Sequence, residues 1–198
     1  MAEQSGTGYV EWLPELFPPQ GEWHESDFFA LPDSNRIIEL SEGEICMSPP
    51  PTPQHQRVVK RLFRAVDHYV RHTEFGETFF APVALRLWEG KIREPDVLVL
   101  KQNQLHQITD QYIDAPVTWV AEVVSPGSVE VDSQEKVADY AAARIPEYWL
   151  IDPAAETIRI YILSGNEYTL ADTLKSGDKA SSRQMAGFET EVNRIFHD

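Results

Sequence analysis

Two short apolar runs in the middle of the chain each have a carboxylate inside the run or at its edge. Residues 93–100 read REPDVLVL and include Asp96, and residues 117–124 read VTWVAEVV and include Glu122. Short runs rich in valine and leucine are typical of strands buried on both faces. An ionised carboxylate in such a strand costs several kcal/mol of folding free energy unless it is paired or bound to a metal. Both acids therefore need a partner.

Pairing of these two runs would bring the acids together. If they form antiparallel strands across the intervening loop, Asp96 lies opposite Ala121 or Glu122. Two neighbouring carboxylates repel each other, and one of them holds a proton at neutral pH unless a cation satisfies both. Mg²⁺ is such a cation, because it binds one or two carboxylates together with water and substrate phosphate oxygens.

A lysine follows the second acid at a useful distance. Lys136 lies in the first turn of a helix that we predict over residues 133–144, and Tyr140 lies on the same face one turn later. The helix starts only about ten residues after the strand, so Lys136 can reach back over the carboxylates. A lysine there can orient a metal-bound water or stabilise charge that develops on a phosphate. The alternative is an ordinary surface lysine in a salt bridge.

The charge distribution limits how the protein can bind nucleic acid. The 198 residues carry a net charge of −15, which argues against non-specific coating of nucleic acid by lysine and arginine. When the chain is divided into residues 1–56, 57–100 and 101–198, only residues 57–100 have more basic than acidic residues, eight against six. The single cysteine, Cys46, excludes an intramolecular disulfide and suits a reducing cytoplasm. Because no apolar stretch approaches the roughly 18 residues of a membrane span, we expect a cytoplasmic protein without a membrane segment.

The pattern of the chain predicts one mixed α/β domain. We expect a flexible tail over residues 1–21 and a single domain over residues 22–198. The predicted elements are a helix over 26–31, a hairpin of strands 36–40 and 44–47, a helix over 54–73, strands 79–88, 96–100 and 117–124, a helix over 133–144, and strands 147–151, 157–163 and 167–170. After the hairpin, this order reads α-β-β-β-α-β with further strands at the end.

The helix predicted over residues 54–73 has an apolar face backed by a basic one. Arg57, Arg61 and Arg64 belong to the basic face, which could contact phosphates or could simply be solvated. His55 precedes this face directly after a proline-rich connector, where a structural role is the ordinary interpretation. Glu39, on the first hairpin strand, is ordinarily interpreted as a solvent-face residue.

Several motifs in one order resemble those of the bacterial Uma-two family, a restriction-endonuclease-like branch of the PD-(D/E)xK nuclease superfamily. The matching segments are the hairpin stretch IIELSEGEICMSPPP followed by His55, PD at residues 95–96, EVVSP at 122–126, K-x3-Y at 136–140 and IPEYWLIDP at 145–153. The resemblance covers roughly residues 26–196. It implies a restriction-endonuclease-like mixed sheet of the α/β (α+β) class, with an α-β-β-β-α-β core and an N-terminal β-hairpin.

The resemblance also implies roles for individual residues. Asp96 and Glu122 would bind Mg²⁺ or Mn²⁺, with the backbone carbonyl of Val123 as a further ligand. Glu39 becomes an accessory acid and His55 a site residue. The general superfamily pattern has its lysine two residues after the second acid, where this chain has valine, so the resemblance implies that Lys136 supplies the missing group.

Three functions follow as expectations. The first is a metal-dependent endonuclease that hydrolyses DNA, with a homodimer implied by the resemblance. The second is a catalytically silent module that keeps the nuclease fold for binding or regulation, suggested by the net charge and by Val124 in place of the usual lysine. The third is an interaction protein that presents exposed aromatic residues such as Trp12 and Trp23.

Overall fold

The computed structural model of the chain describes residues 17–32, 36–125 and 131–197. In chain order, its first elements are α1 (Glu25–Phe29), β1 (Ile38–Ser41), β2 (Glu44–Met47), α2 (Pro53–His72), β3 (Gly76–Phe80), β4 (Leu85–Trp88), β5 (Lys91–Arg93) and β6 (Val97–Lys101). A 3₁₀ helix (Gln102–Gln107) follows. Among the described residues, no helix is both long enough and apolar enough to cross a membrane.

The second half of the chain adds more strands than helices. Its elements are β7 (Ile113–Asp114), β8 (Trp119–Val123), a π-helical turn (Val131–Glu135), α3 (Lys136–Ala142), β9 (Glu147–Asp152), β10 (Thr157–Ser164), β11 (Glu167–Leu174), β12 (Lys179–Ser181), β13 (Glu189–Glu191) and α4 (Val192–Phe196). The helix predicted over residues 133–144 is thus a π-helical turn that continues into α3.

Most of the strands form two sheets. The first has the order β2-β1-β5-β4-β7, and the second has the order β11-β10-β9-β8-β6-β3. In the second sheet only β8 and β9 are parallel neighbours, because α3 connects them as a crossover. The segments α2, β3, β6, β8, α3 and β9 give the predicted α-β-β-β-α-β order, which confirms the predicted fold class.

The prediction of one continuous strand over residues 79–88 is wrong. This segment divides into β3, which belongs to the second sheet, and β4, which belongs to the first. Pro82 lies at the division and has no N–H to donate to a sheet ladder. The turn predicted after residue 88 contains β5, which pairs with β1 and β4.

The second sheet is covered on both faces, which explains why its central strands are apolar throughout. On one face, Leu62 and Val66 of α2 pack in one cluster with Trp119 and Trp149. On the other, Tyr140 of α3 packs with Val120 and Tyr148. Glu122 of β8 and Asp96, the residue before β6, lie at one end of this core.

The last five residues of the predicted tail, residues 17–21, belong to the described part of the chain. Its residues 1–16, including Trp12, lie outside the described residues. Its last residues contact the hairpin: the Gln20 side-chain amide donates to the Ile45 carbonyl at 3.0 Å and accepts from the Ile45 N–H at 2.8 Å. Trp23 is partly buried and stacks on Phe17 with ring centroids 5.6 Å apart, so it is not the exposed aromatic residue that we expected.

Candidate active site

A cavity of about 280 Å³ lies where the hairpin, the start of α2 and the ends of β6 and β8 meet. Every residue predicted as catalytic contributes to its lining. The lining residues are Ile37, Glu39, Cys46, Met47, Ser48, Pro49, Pro51, His55, Arg93, Glu94, Asp96, Glu122, Val123, Ser125, Val131, Asp132, Glu135 and Lys136. Tyr140 stands behind this lining in the core.

The strand register brings the two acids together. Val97 pairs with Ala121 in an antiparallel ladder, so Asp96 and Glu122 are the next residues toward the same end of the sheet. Of the two predicted registers, the one that places Asp96 opposite Glu122 is therefore correct. Both carboxyl groups are almost completely buried.

Asp96 is held by the backbone of β8 and by the first turn of α2. Its Oδ2 atom accepts the Val123 N–H at 2.8 Å and lies 3.2 Å from Nε2 of His55. Thr52 caps α2 by accepting the His55 N–H at 3.2 Å. This bond fixes the position of the His55 backbone, from which the imidazole extends. Burial lowers the pKa of His55, but the hydrogen bond and the charge of Asp96 outweigh burial, so the pKa lies above its ordinary value.

Glu122 accepts two hydrogen bonds from α3. Its Oε1 atom lies 2.9 Å from Nζ of Lys136 and 2.5 Å from the hydroxyl of Tyr140. Burial raises the pKa of Glu122 to about 8 despite the ammonium group beside it, because Asp132, Asp96 and Glu39 add negative charge nearby.

Lys136 lies among three carboxylates. Its Nζ atom is 2.9 Å from Glu122, 3.2 Å from Glu39 and 3.4 Å from Asp132. Burial lowers the pKa of Lys136, but these carboxylates together raise it well above the ordinary value. The interpretation of Lys136 as a surface lysine is therefore wrong.

Val124 occupies the position where the superfamily pattern has its lysine. It packs with Tyr140 in the cluster on the α3 side of the sheet, the same side from which Lys136 reaches Glu122. The helix thus delivers an ammonium group to the face that a lysine at position 124 would have occupied.

Glu39 is a buried member of the same cluster. Its side chain is only 4% exposed, so the solvent-face interpretation is wrong. It accepts the Arg93 Nη1–H at 2.8 Å and the Glu94 N–H at 3.1 Å. Burial alone would raise the pKa of Glu39, but Lys136 and Arg93 lower it below the ordinary value.

Sequence reasoning did not identify Arg93, Asp132 and Asp139 as parts of this cluster. Arg93 is 1% exposed and contacts Asp139 at 2.6 Å as well as Glu39. Its position directly before the apolar run that includes Asp96 was the available signal, because an arginine next to a buried strand needs an acidic partner. Asp132 and Asp139 carried no such signal, since both follow the pattern of exposed helix residues.

The basic face of α2 does not line the cavity. Arg57 and Arg61 line a separate groove beside Pro153 and Glu156. Arg61 and Arg64 line a larger groove of about 960 Å³ between α2 and the β12–β13 pair. The structure therefore separates these arginines from the acids.

The donor atoms of the cavity suit a hard divalent cation. Among the described residues, no three histidine, cysteine or acidic side chains form a ready-made metal cluster. Mg²⁺ does not require one, because it usually keeps several waters and binds only one or two carboxylates. The contacts described above use Oδ2 of Asp96 and Oε1 of Glu122, so Oδ1 of Asp96, Oε2 of Glu122 and the Val123 carbonyl could hold an ion.

The fold and the acid cluster define a protein of the nuclease-like class. The structure is similar to a crystal structure from Anabaena variabilis ATCC 29413, described as a "putative nuclease belonging to DUF820", with a TM-score of 0.72 and 16% sequence identity. The similarity covers 88% of this chain and 97% of that chain, and at this identity it shows the fold. A comparison with curated proteins finds no match.

The family is given by the sequence itself. Residues 25–193 match the model of the Uma2 family, described as "Putative restriction endonuclease". The chain therefore belongs to the Uma2 family, as the motif order indicated. Family membership and fold together support nuclease function.

Proposed function

We propose that the protein is a Mg²⁺- or Mn²⁺-dependent endonuclease that hydrolyses phosphodiester bonds of DNA. The observation that carries this proposal is the pairing of Asp96 and Glu122 at one end of the second sheet, with the Lys136 ammonium group on Glu122. A buried acid pair with an adjacent fixed cation is suited to binding a metal ion and a phosphate together.

Each side chain has a defined task in this proposal. Asp96, Glu122 and the Val123 carbonyl would hold the ion, which would supply Lewis acidity toward the phosphate. Because the pKa of Lys136 is raised, the side chain stays protonated. It therefore orients the attacking water and stabilises negative charge on the phosphate, but does not accept a proton. Glu39 positions Lys136, and His55 positions Asp96 through Oδ2.

The remaining parts of the proposal concern binding and assembly. Arg57, Arg61 and Arg64 would contact DNA phosphates away from the reacting bond, since they line other grooves. A homodimer in the cytoplasm completes the proposal. Light scattering on the purified protein measures the assembly directly.

The test is cleavage of plasmid, linear and single-stranded DNA with Mg²⁺ or Mn²⁺. Asp96→Asn and Lys136→Gln should each reduce the cleavage rate by about 100-fold or more, because each removes a group that holds the ion or the transition-state charge. Lys175→Gln is the matched control: Lys175 is exposed and lines neither the cavity nor the two grooves that contain the arginines, so its loss should leave the rate unchanged.

A second candidate is a silent module of the same fold, favoured by Val124 in place of the usual lysine. Calorimetric titration of Mg²⁺ and Mn²⁺ separates the two functions. The endonuclease should bind either ion and lose binding in Asp96→Asn. A protein that binds neither ion and leaves all three DNA forms intact contradicts the endonuclease and supports the module.

A further inference from the structure

The cavity has two chemically different walls. One wall carries the acids and Lys136. The other is formed by the hairpin and the proline connector, where Ile37, Met47, Pro49 and Pro51 present mainly carbon atoms. Met47 ends β2 and is 61% exposed, so its side chain is accessible to an occupant of the cavity.

Among the described residues, the mouth of the cavity has few of the groups that bind a double helix. Of the described residues in its lining, only Arg93 and Lys136 are arginine or lysine, and both are buried and paired with carboxylates. Glu135 also lines the cavity, and its side chain is 59% exposed. A duplex binds mainly by placing its phosphates on several lysines and arginines, so this rim does not favour a duplex.

The size of the cavity fits a small occupant. A volume of about 280 Å³ lies near the lower end of the range of about 300–1,000 Å³ for small-ligand pockets. Enzymes that take a single nucleotide out of the base stack hold its base between apolar or aromatic side chains. An apolar wall that faces an acid pair offers one surface to a base and another to a phosphate.

We propose that the cavity binds one nucleotide of an unpaired DNA strand. The base packs on Met47, Pro49 and Pro51, and the phosphate faces Asp96 and Glu122. The inference rests on the proposed function for the role of the acids, and it adds that the strand must be single at the cleaved position. Met47 is then a substrate-binding residue outside the acid cluster.

Binding is measured by fluorescence anisotropy with a labelled 12-nucleotide DNA strand, the same strand in a duplex, and an RNA strand of the same sequence. Ca²⁺ replaces Mg²⁺, and gel analysis checks that the probes stay intact. The single DNA strand should bind at least about tenfold more tightly than the duplex, since base stacking is available only to the unpaired strand.

The variants separate the apolar wall from general effects. Met47→Ala should weaken binding of the single strand by about fivefold, because the base loses apolar surface on which it packs. Met47→Leu, which keeps an apolar side chain, should bind like the wild type. Leu170→Ala is the surface control, because Leu170 is 49% exposed on the outer strand β11 and lies outside the cavity lining.

The outcomes distinguish this inference from the proposed function. Duplex binding equal to or tighter than single-strand binding overturns the inference even if DNA is cleaved, as does full binding by Met47→Ala. Tighter binding of RNA than of DNA overturns the DNA assignment. Tight single-strand binding that depends on Met47, without cleavage in Mg²⁺ or Mn²⁺, supports the inference and overturns the proposed hydrolysis.

Discussion

The centre of the site contains more acidic side chains than strongly basic ones. Four buried carboxylates, those of Glu39, Asp96, Glu122 and Asp132, share two buried strong cations. Lys136 contacts three of the four carboxylates, and Arg93 contacts Glu39. Burial raises the pKa of both acids; at Glu122 the one ammonium group of Lys136 does not offset burial, whereas at Glu39 Lys136 and Arg93 together outweigh it and lower the pKa.

The two metal-binding candidates could be predicted from sequence because each stands alone in an apolar run. Glu39 and Arg93 could not be predicted from pattern as partners. Their contact joins β1 to β5, and the two residues are 54 positions apart in the sequence. Local periodicity does not predict contacts at that separation. Charged residues near turns look solvated unless the tertiary fold covers them.

Glu94 provides a test at the residue scale. Burial raises its pKa to about 7, while its bond from the Ile38 N–H at 3.1 Å opposes the increase. A raised pKa means that Glu94 favours folding below about pH 4.5 and that this contribution disappears as the pH rises through 7. Between pH 5 and 8 in EDTA, the wild type should therefore lose stability relative to Glu94→Gln, by up to about 3 kcal/mol.

Urea denaturation at several pH values measures this difference. Glu77→Gln is the matched control, because Glu77 is an exposed acid on β3. Its stability should follow the wild type across the range. A difference between Glu94→Gln and the wild type that does not change with pH would contradict the assignment of Glu94 as the titrating group.

At the scale of elements, β9 is tied to the C-terminal segment by one carboxylate. Glu147 accepts the Trp149 indole N–H at 2.6 Å through Oε1 and the N–H groups of Arg183 and Gln184 through Oε2. Ser182 adds a further hydrogen bond at 3.0 Å. These contacts hold the segment that leads to β13 and α4. The sequence indicated a covering segment there but gave no partner for it, because strand periodicity does not show which loop a buried acid will bind.

Glu147→Gln should destabilise the protein by about 2 kcal/mol. An amide has only one acceptor oxygen, so either the indole or the two backbone N–H groups lose their acceptor. Tyr168→Phe should cost only about 1 kcal/mol, since it removes a single donor, the hydroxyl that bonds to the Ile145 carbonyl. Urea denaturation of the two variants gives the order. Equal effects would show that the carboxylate is not the main attachment of the segment.

The whole molecule carries its charge asymmetrically. The net charge of −15 leaves the folded chain under self-repulsion, while the basic face of α2 is directed away from the acid-lined cavity. The α-β-β-β-α-β order was predictable because each of its elements has its own periodicity. The complete first sheet was not, because β5 and β7 are too short to leave a pattern in the sequence.

Salt should therefore stabilise the protein at neutral pH. Raising NaCl from 50 to 500 mM at pH 7.5 screens the repulsion, and a gain of about 1 kcal/mol raises Tm by about 2–4 °C. At pH 5, close to the pI of about 4.7, the same change in salt should have little effect. Differential scanning calorimetry compares the two. An equal increase at both pH values would mean that the salt acts by a route other than net charge.

The acid-lined cavity draws on β1, α2, β5, β6, β8 and α3, so its parts are spread over nearly a hundred residues. While a ribosome is still making the chain, Asp96 and Glu122 emerge before Lys136 and Tyr140 exist. The early chain has the acids without the helix that holds them in position. A site built this way is complete only when most of the domain has been synthesised, so incomplete copies of the chain lack it.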